Sequence, residues 1–384
     1  MFKSRIIGLE LFIFLFAAYF AVLKVIPADY NDMHDHAAFA RQMCTGEIPY
    51  TGNFLVYLLV NVFSFFTANV KATELSLCFL LAAAGVYRFM IAQDHIDKVF
   101  GFKKNTQWIN IFLALSMLFV FAIPIPSYFL GDNFMYIGNY VPNVWHNSTI
   151  LFLFPFALLL FEVSYKQLQE FDTKRNWWVL GLILLNLFIK PSFFFVFICI
   201  YPLMLLVKYG LKKEFWLAVL PLIIGFFVLI LQFWVIYKTP QPLHKEASSV
   251  IFMPFYRNPE FSDLYLIPIT MSFSLLFPIL YSALNFRKVI YNQLFWYVLL
   301  SYIVSVLIFF FISESGPRAS HGNFYWQIII CAWLCFFVSL LALLKDFRTE
   351  GKTLKNKLLL NIFLIHVILG IVYFMKILVT GGYY

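Results

Sequence analysis

Apolar runs, each about as long as a membrane is thick, recur along the whole chain and constrain its fold more than any other feature. A bilayer core of roughly 30 Å requires about 20 apolar residues per helix. Hydrophobic residues make up 62% of the chain and charged residues only 12%, which leaves too few polar side chains to cover a water-soluble globule. The composition therefore predicts an all-α polytopic membrane protein without a separate soluble domain.

The apolar runs and the polar breaks between them predict about eleven transmembrane helices, in a single transmembrane domain that covers residues 1–384. The expected spans are 6–26, 74–92, 108–126, 148–165, 177–189, 192–208, 216–237, 265–284, 290–312, 324–344 and 358–378. The apolar segment 53–68 is expected to lie as a helix at the membrane interface instead. The main external loops are then 27–73, 127–147, 238–264 and 313–323, with a short turn near residue 190.

Lys and Arg residues concentrate in the loops on the N-terminal side of these spans. The positive-inside rule assigns that side to the cytoplasm. The net charge of +9 is therefore explained by membrane orientation, and no nucleic-acid partner is expected. This layout treats 177–208 as two helices, because Lys190 followed by Pro191 fits a turn or a broken helix better than a lipid-facing position.

The first external loop carries the densest group of titratable side chains, including Asp32, His34, Asp35 and His36. If this stretch is helical, residues 32, 35 and 36 share one face and His34 points elsewhere. Two carboxylates and an imidazole could supply a general base, or could hold a divalent metal such as Mg or Mn. The simpler interpretation is a polar helix start with Asp as its cap. The pattern leaves the metal open and predicts no other cofactor.

The second external loop ends with Trp145, His146 and Asn147. An indole beside an imidazole at the membrane boundary could stack on a sugar or bind phosphate oxygens. The alternative is an interfacial Trp that only anchors the chain.

Two cations are candidates for holding a phosphate. Lys190 lies within the apolar part of the sequence, where an ionisable residue is costly unless it meets an anion. The loop 313–323 contains Glu314, Arg318 and His321, and the guanidinium of Arg318 offers a planar fork that stays charged. An ordinary polar turn is the alternative for this loop.

The chain begins with one span, an acidic external loop, the stretch Ala40-Arg41 through Gly46-Glu47-Ile48-Pro49-Tyr50, and an apolar helix after it. In these features it resembles the GT-C superfamily, integral-membrane glycosyltransferases that use polyprenyl-phosphate-linked sugars. The resemblance implies juxtamembrane helices in the first external loop and a catalytic base there, which falls on Asp32 or Asp35. The chain departs from larger members because it has no soluble C-terminal domain and because histidines flank its acids.

Taken together, these features favour a membrane glycosyltransferase. It would move a sugar from a polyprenyl-phosphate donor to a glycan or lipid-linked acceptor, with inversion, on the extracytoplasmic side of a bacterial inner membrane. Asp32 or Asp35 would be the base. The residues expected to bind substrate are His34, His36, Trp145, His146, Asn147, Lys190, Glu314, Arg318 and His321.

Two other classes remain open from the sequence. A capsule or O-antigen polymerase shares the size, the span count and polyprenyl-diphosphate substrates, although its external loops are usually richer in arginine. A polytopic lipid or sugar transporter or flippase would be expected to show repeated halves with broken helices, and no such repeat is visible.

Overall fold

A computed structural model of the protein describes residues 2–28, 31–101, 107–124, 139–238, 248–256 and 264–382. Most of this part of the chain is helical, with two short strands. The helices are α1 (Phe2–Val25), α2 (Asp32–Thr45), α3 (Leu55–Phe63), α4 (Val70–Phe100), α5 (Gln107–Ser116), α6 (Ser148–Gln169), α7 (Thr173–Ile189), α8 (Ser192–Tyr209), α9 (Lys213–Lys238), α10 (Ile267–Ser274), α11 (Leu276–Leu284), α12 (Phe286–Ile290), α13 (Gln293–Phe311), α14 (Trp326–Thr349) and α15 (Leu354–Thr380). The strands are β1 (Ser249–Phe252) and β2 (Ile312–Ser315), and 3₁₀ turns cover Leu264–Leu266 and Gly316–His321.

Within the described residues, eight helices are long and apolar enough to cross a membrane. They are α1, α4, α6, α8, α9, α13, α14 and α15. A ninth crossing results if α10, with the 3₁₀ turn before it, and α11 are counted as one broken span, bent by 69°. The length and composition of these helices indicate an integral membrane protein.

The predicted count of about eleven spans is not confirmed, and the difference lies in three segments. The expected span 108–126 is helical only as far as Ser116. The expected span 177–189 forms α7, which has 17 residues because Asp172 caps its start and Pro191 follows its end. The expected span 265–284 is the bent pair α10 and α11.

The break predicted at Lys190 and Pro191 is confirmed. α7 ends at Ile189, Lys190 has extended backbone angles (φ −166°, ψ 124°), and Pro191 immediately precedes α8. Proline lacks the N–H of a helical residue, and its ring disfavours helical geometry in the residue before it. The lysine is therefore held outside both helices.

The chain divides into two compact units, each built from three separate segments. The first unit contains Met1–Val86, Trp145–Pro254 and Phe311–Gln327, and the second contains Tyr87–Val144, Phe255–Phe310 and Ile328–Tyr384. All the residues predicted to form the site belong to the first unit. The assignment of residues 1–384 to a single transmembrane domain stays a prediction.

In the first unit, the helices of the first loop pack near the start of α6. α2 packs against α3 and α6, and α7 packs against α6 and α9. Asn31 caps α2 through its side-chain oxygen, which accepts the N–H of Met33 at 3.0 Å. The helix expected within 53–68 is present as the nine residues of α3.

β1 and β2 pair antiparallel, although residues 253–311 separate them in the sequence. Ser249 is opposite Ser315, and Phe252 is opposite Ile312. The pairing fixes the start of the predicted loop 313–323, because Glu314 lies on β2 opposite Val250.

In the second unit, the non-helical segment after α5 has its backbone satisfied by side chains. The carbonyl oxygen of Met117 accepts hydrogen bonds from Arg88 Nη2 at 3.1 Å and from Trp333 Nε1 at 2.8 Å. Asn143 Nδ2 donates to the carbonyl of Val120 at 2.8 Å. Such partners are needed wherever irregular backbone is buried among apolar helices.

The same non-helical segment crosses α15 at a glycine. A Cβ at Gly370 would lie 1.5 Å from the carbonyl oxygen of Phe119 and 2.6 Å from its carbonyl carbon. His366, one turn earlier on α15, bonds the carbonyl of Phe121 through Nδ1 at 2.6 Å and accepts the N–H of Phe277 at Nε2 at 3.4 Å. These two hydrogen bonds define a neutral imidazole with a structural role.

We expect Gly370→Ala to lower the free energy of unfolding by about 1–3 kcal/mol, because a methyl group there overlaps backbone rather than a flexible side chain. The matched control is Gly181→Ala in α7, where nothing lies within 4 Å of an added Cβ. Alanine favours helix over glycine by up to about 1 kcal/mol, so that control should be neutral or stabilising. Thermal unfolding in detergent measures both; equal melting temperatures would contradict the close approach.

Candidate functional site

Asp32, the first residue of α2, is in contact with the second predicted loop. Its Oδ2 accepts a hydrogen bond from Asn147 Nδ2 at 2.5 Å. Asp35, one turn later on α2, lies exposed. Asp32, one of the two acids that the sequence left as alternatives, is thus held against the end of another loop.

Asn147 connects the carboxylate of Asp32 to a lysine, because both the oxygen and the nitrogen of its side-chain amide form contacts. Its Oδ1 caps α6 by accepting the N–H of Ile150 at 3.1 Å, and it also lies 3.5 Å from Lys190 Nζ. Its Nδ2 donates to Asp32. Asn is among the preferred N-cap residues, so the same feature that starts α6 also orients the amide.

Lys190 is buried, with 8% of its surface exposed. Its ammonium donates to Thr149 Oγ1 at 2.9 Å and lies 5.0 Å from the centre of the Trp326 ring. An ammonium over an indole face is stabilised by the ring quadrupole. We refer to Asp32, Asn147, Thr149, Lys190 and Trp326 as the Lys190 cluster.

Burial lowers the pKa of Lys190 to about 8, while the negative charges of Asp32 and Glu314 oppose this shift and the positive charge of Arg318 adds to it. Burial also lowers the pKa of His146 to about 4, against the opposing influence of Asp32. At neutral pH the lysine therefore carries its charge and the imidazole of His146 is neutral. The ring of His146 lies 6.2 Å from Trp326, edge to face.

Glu314 is the centre of a second group of polar side chains in the same unit. Its Oε1 accepts hydrogen bonds from Arg318 Nε at 2.8 Å and from the hydroxyl of Tyr237, and its Oε2 accepts one from Asn323 Nδ2 at 2.6 Å. Glu314 is 3% exposed, whereas the side chain of Arg318 retains 27% of its surface. We refer to Tyr237, Glu314, Arg318 and Asn323 as the Glu314 cluster.

The two clusters form one charged region. In addition to burial, the charges of Glu314 and Arg318 act on the pKa of Lys190. The charges of Asp32 and Arg318 likewise act on the pKa of Tyr57. Two carboxylates, one ammonium and one guanidinium thus lie near one another within an otherwise apolar unit. Buried charges of this kind are rarely retained unless they are paired or functional.

The remaining predicted residues have other surroundings. His34 contacts Glu74 and the carbonyl of Leu23. His36 shares a 2.8 Å hydrogen bond with the hydroxyl of Tyr57. Trp145 is buried with its ring 5.8 Å from that of Tyr19.

Parts of the predicted loops lie outside the described residues. This applies to residues 125–138, to residues 239–247 and 257–263, and to the side chain of His321.

No metal site is visible in the part of the chain that the structure describes. No three His, Cys, Asp or Glu side chains there come together in a group that could hold an ion. This holds for Asp32, Asp35 and His36, the three residues that the sequence left open for Mg or Mn. The shared helix face predicted for these residues does not gather them around one point, because His36 bonds Tyr57 and Asp32 bonds Asn147.

Three aromatic residues of the site were not predicted. Tyr57, on α3, faces His36, Tyr237 contacts Glu314, and Trp326 contacts Lys190. Tyr237 and Trp326 each lie at the end of a long apolar helix that borders an external loop. An amphipathic aromatic residue at such a boundary is the signal that could have identified them.

A comparison of this chain with protein-family models, with curated proteins and with solved structures finds no match.

The arrangement offers three chemical capacities. The carboxylate of Asp32 can accept a proton, and its position is fixed by an amide. Lys190 and Arg318 can stabilise an anion, since the attraction between a cation and an anion is stronger where water is largely excluded. The rings of Trp326 and His146 provide apolar faces beside these charges.

The contact between Glu314 and Arg318 predicts a strong energetic coupling. A double-mutant cycle with Glu314→Gln and Arg318→Met should give a coupling energy of about 1.5–3 kcal/mol, because removing either partner leaves the other charge poorly solvated. The matched control is Arg41 with Glu47, which form an exposed bidentate pair and should couple much more weakly, because water solvates both charges. Unfolding free energies in detergent measure both cycles, and equal coupling in the two would contradict burial of the Glu314 pair.

Proposed function

We propose that this protein is an integral-membrane glycosyltransferase that moves a sugar from a polyprenyl-phosphate-linked donor to a glycan or lipid-linked acceptor. The observation that carries the proposal is the contact of Asp32 with Asn147, which brings a first-loop carboxylate next to the buried ammonium of Lys190. A base and an anion-binding cation side by side are what a transfer with a phosphate leaving group requires.

In the proposed reaction, Asp32 accepts the proton of an acceptor hydroxyl as that oxygen attacks the anomeric carbon of the sugar. The bond from the anomeric carbon to the phosphate oxygen breaks, and the electron pair leaves with the phosphate. Lys190 and Arg318 stabilise the charge that builds up on this leaving group. A phosphate needs little acid assistance to leave, so one carboxylate base is sufficient and a second catalytic carboxylate, as in glycoside hydrolases, is not required. A single displacement inverts the anomeric configuration.

On the expected layout of about eleven spans, the positive-inside pattern supports a cytoplasmic N-terminus and a site on the extracytoplasmic side, in keeping with a bacterial inner membrane. The resemblance of the first loop to GT-C glycosyltransferases points the same way. The polyprenyl chain of the donor would lie among the apolar helices with its phosphate at the Lys190 cluster.

We expect Asp32→Asn to lower kcat by about 100-fold or more, because general-base catalysis typically contributes that much. Asp35→Asn is the matched control and should retain activity, since Asp35 lies exposed on α2. The measurement uses purified protein with a panel of radiolabelled polyprenyl-phosphate hexoses and pentoses and candidate acceptors. Full activity of Asp32→Asn would exclude Asp32 as the base.

The products of this assay also separate the alternatives. Addition of one sugar with inversion supports the proposed reaction, and retention of the anomeric configuration would contradict it. A ladder of repeats made from polyprenyl-diphosphate-linked oligosaccharides would indicate a polymerase. Movement of lipid or sugar across vesicles with no new glycosidic bond would indicate a transporter.

The lowered pKa of Lys190 predicts a pH dependence of donor use. An ammonium is charged below its pKa, so kcat/KM should be constant between neutral pH and about pH 8 and fall about tenfold per pH unit above it. Lys190→Arg should shift this fall to higher pH because arginine stays charged. Lys166→Arg, at an exposed pair with Glu162, serves as the control and should keep the wild-type profile. An unchanged profile in Lys190→Arg would show that the lysine charge does not act on the donor.

A further inference from the structure

The sequence suggested that His34 binds substrate, but in the structure its side chain contacts other parts of the protein. Its Nδ1 lies 2.8 Å from Glu74 Oε1, and its Nε2 lies 2.8 Å from the carbonyl oxygen of Leu23. Lys24 donates to the other oxygen of Glu74, also at 2.8 Å. The contact therefore joins α2 to the end of α1 and to the start of α4.

The hydrogen-bonding capacity of these groups fixes where the protons are. A carbonyl oxygen only accepts, so His34 Nε2 must carry a hydrogen and donate it to Leu23. Nδ1 then either donates to an ionised Glu74 or accepts from a protonated Glu74. Either way, one proton lies between the imidazole and the carboxyl group. Both ring nitrogens are in use, and neither is left to bind a substrate.

The same end of α2 is held by a second side chain. Asn31 donates through Nδ2 to the carbonyls of Leu23 at 3.2 Å and Val22 at 3.4 Å, in the last turn of α1. Carbonyls at a helix C-terminus have no partner within the helix, so α2 satisfies the end of α1. Asp32 lies between Asn31 and His34 along the chain, and its side chain reaches Asn147.

Glu74 is the most buried of the three side chains that form this contact. Its side chain is 8% exposed, whereas those of His34 and Lys24 are 23% and 47% exposed. A buried carboxylate is retained only where it is fully satisfied, and here each of its oxygens has one cationic or hydrogen-bonding partner.

We propose that His34 and Glu74 are positioning residues that fix the first turn of α2 and thereby set the carboxylate of Asp32 against Asn147. This inference rests on the proposed function, since it assigns Asp32 the role of base. An error of about 1 Å in the placement of a catalytic group can cost about 100-fold in rate, so the contact acts on the chemical step and not on donor binding.

The test compares Glu74→Ala with Glu74→Gln and His34→Ala. A glutamine can donate its amide to Nδ1 of a neutral His34 while its oxygen accepts from Lys24, so it preserves the geometry that alanine removes. We expect Glu74→Ala and His34→Ala to lower kcat by about 100-fold with KM little changed. Glu74→Gln should recover most of the wild-type kcat. Glu47→Ala, at the exposed pair with Arg41 beyond the other end of α2, should resemble wild type.

Hydrogen exchange provides a second readout that requires no sugar donor. The backbone amides of the first turn of α2 should exchange about tenfold faster or more in Glu74→Ala and His34→Ala, and near the wild-type rate in Glu74→Gln. If the wild type transfers no sugar from any donor, the proposed function fails, while the exchange rates still report whether this contact fixes α2.

Three results would overturn the positioning role. The first is wild-type exchange and kcat in Glu74→Ala. The second is a raised KM with unchanged kcat in His34→Ala, which would return His34 to substrate binding. The third is a Glu74→Gln protein as impaired as Glu74→Ala, which would show that charge rather than geometry matters. If Glu74→Ala does not fold, His34→Ala carries the same comparison.

Discussion

The break in the helix at Pro191 is the constraint on which the rest of the site depends. Proline disfavours helical geometry in the residue before it, and Lys190 lies in an extended conformation between α7 and α8, in the interior of the first unit. An ammonium buried there is tolerated only with hydrogen-bond acceptors and opposite charge around it. Thr149 and Asn147 supply the acceptors, and Asp32 and Glu314 supply the charge.

The sequence predicted the chemical nature of the site better than its geometry. Lys190, Arg318 and Glu314 stood out because charge is rare in so apolar a chain, and the structure places them in one unit. The choice between Asp32 and Asp35 required a partner, Asn147, that lies 115 residues away and has no local signature. The pairing of the two short strands also depends on contacts between distant residues, which periodicity does not reveal.

The charge balance of the site bears on the class of substrate. With Asp32 and Glu314 ionised, Lys190 and Arg318 are already compensated, and the fixed charges sum to zero while His146 is neutral. Each of the two cations can nevertheless still bind an anion. Arg318 bonds Glu314 through Nε, and part of its side chain stays exposed. Among the described residues, the hydrogen-bond partners of Lys190 are the neutral side chains of Thr149 and Asn147. Such a site is better suited to a ligand whose charge changes during a reaction than to a ligand whose charge stays the same.

The antiparallel pairing of β1 with β2 has a consequence for how the protein is made. The first unit is interrupted in the chain, and Glu314 reaches its place only after α10 to α13 have been synthesised. Asp32, Asn147 and Lys190 leave the ribosome well before their counterpart in β2, and chains grow from the N-terminus at a limited rate. During that interval only one of the two carboxylates that raise the pKa of Lys190 against the effect of burial has been made. Completion of the site is therefore one of the last events of its biosynthesis, and chains that end before β2 lack the carboxylate of Glu314.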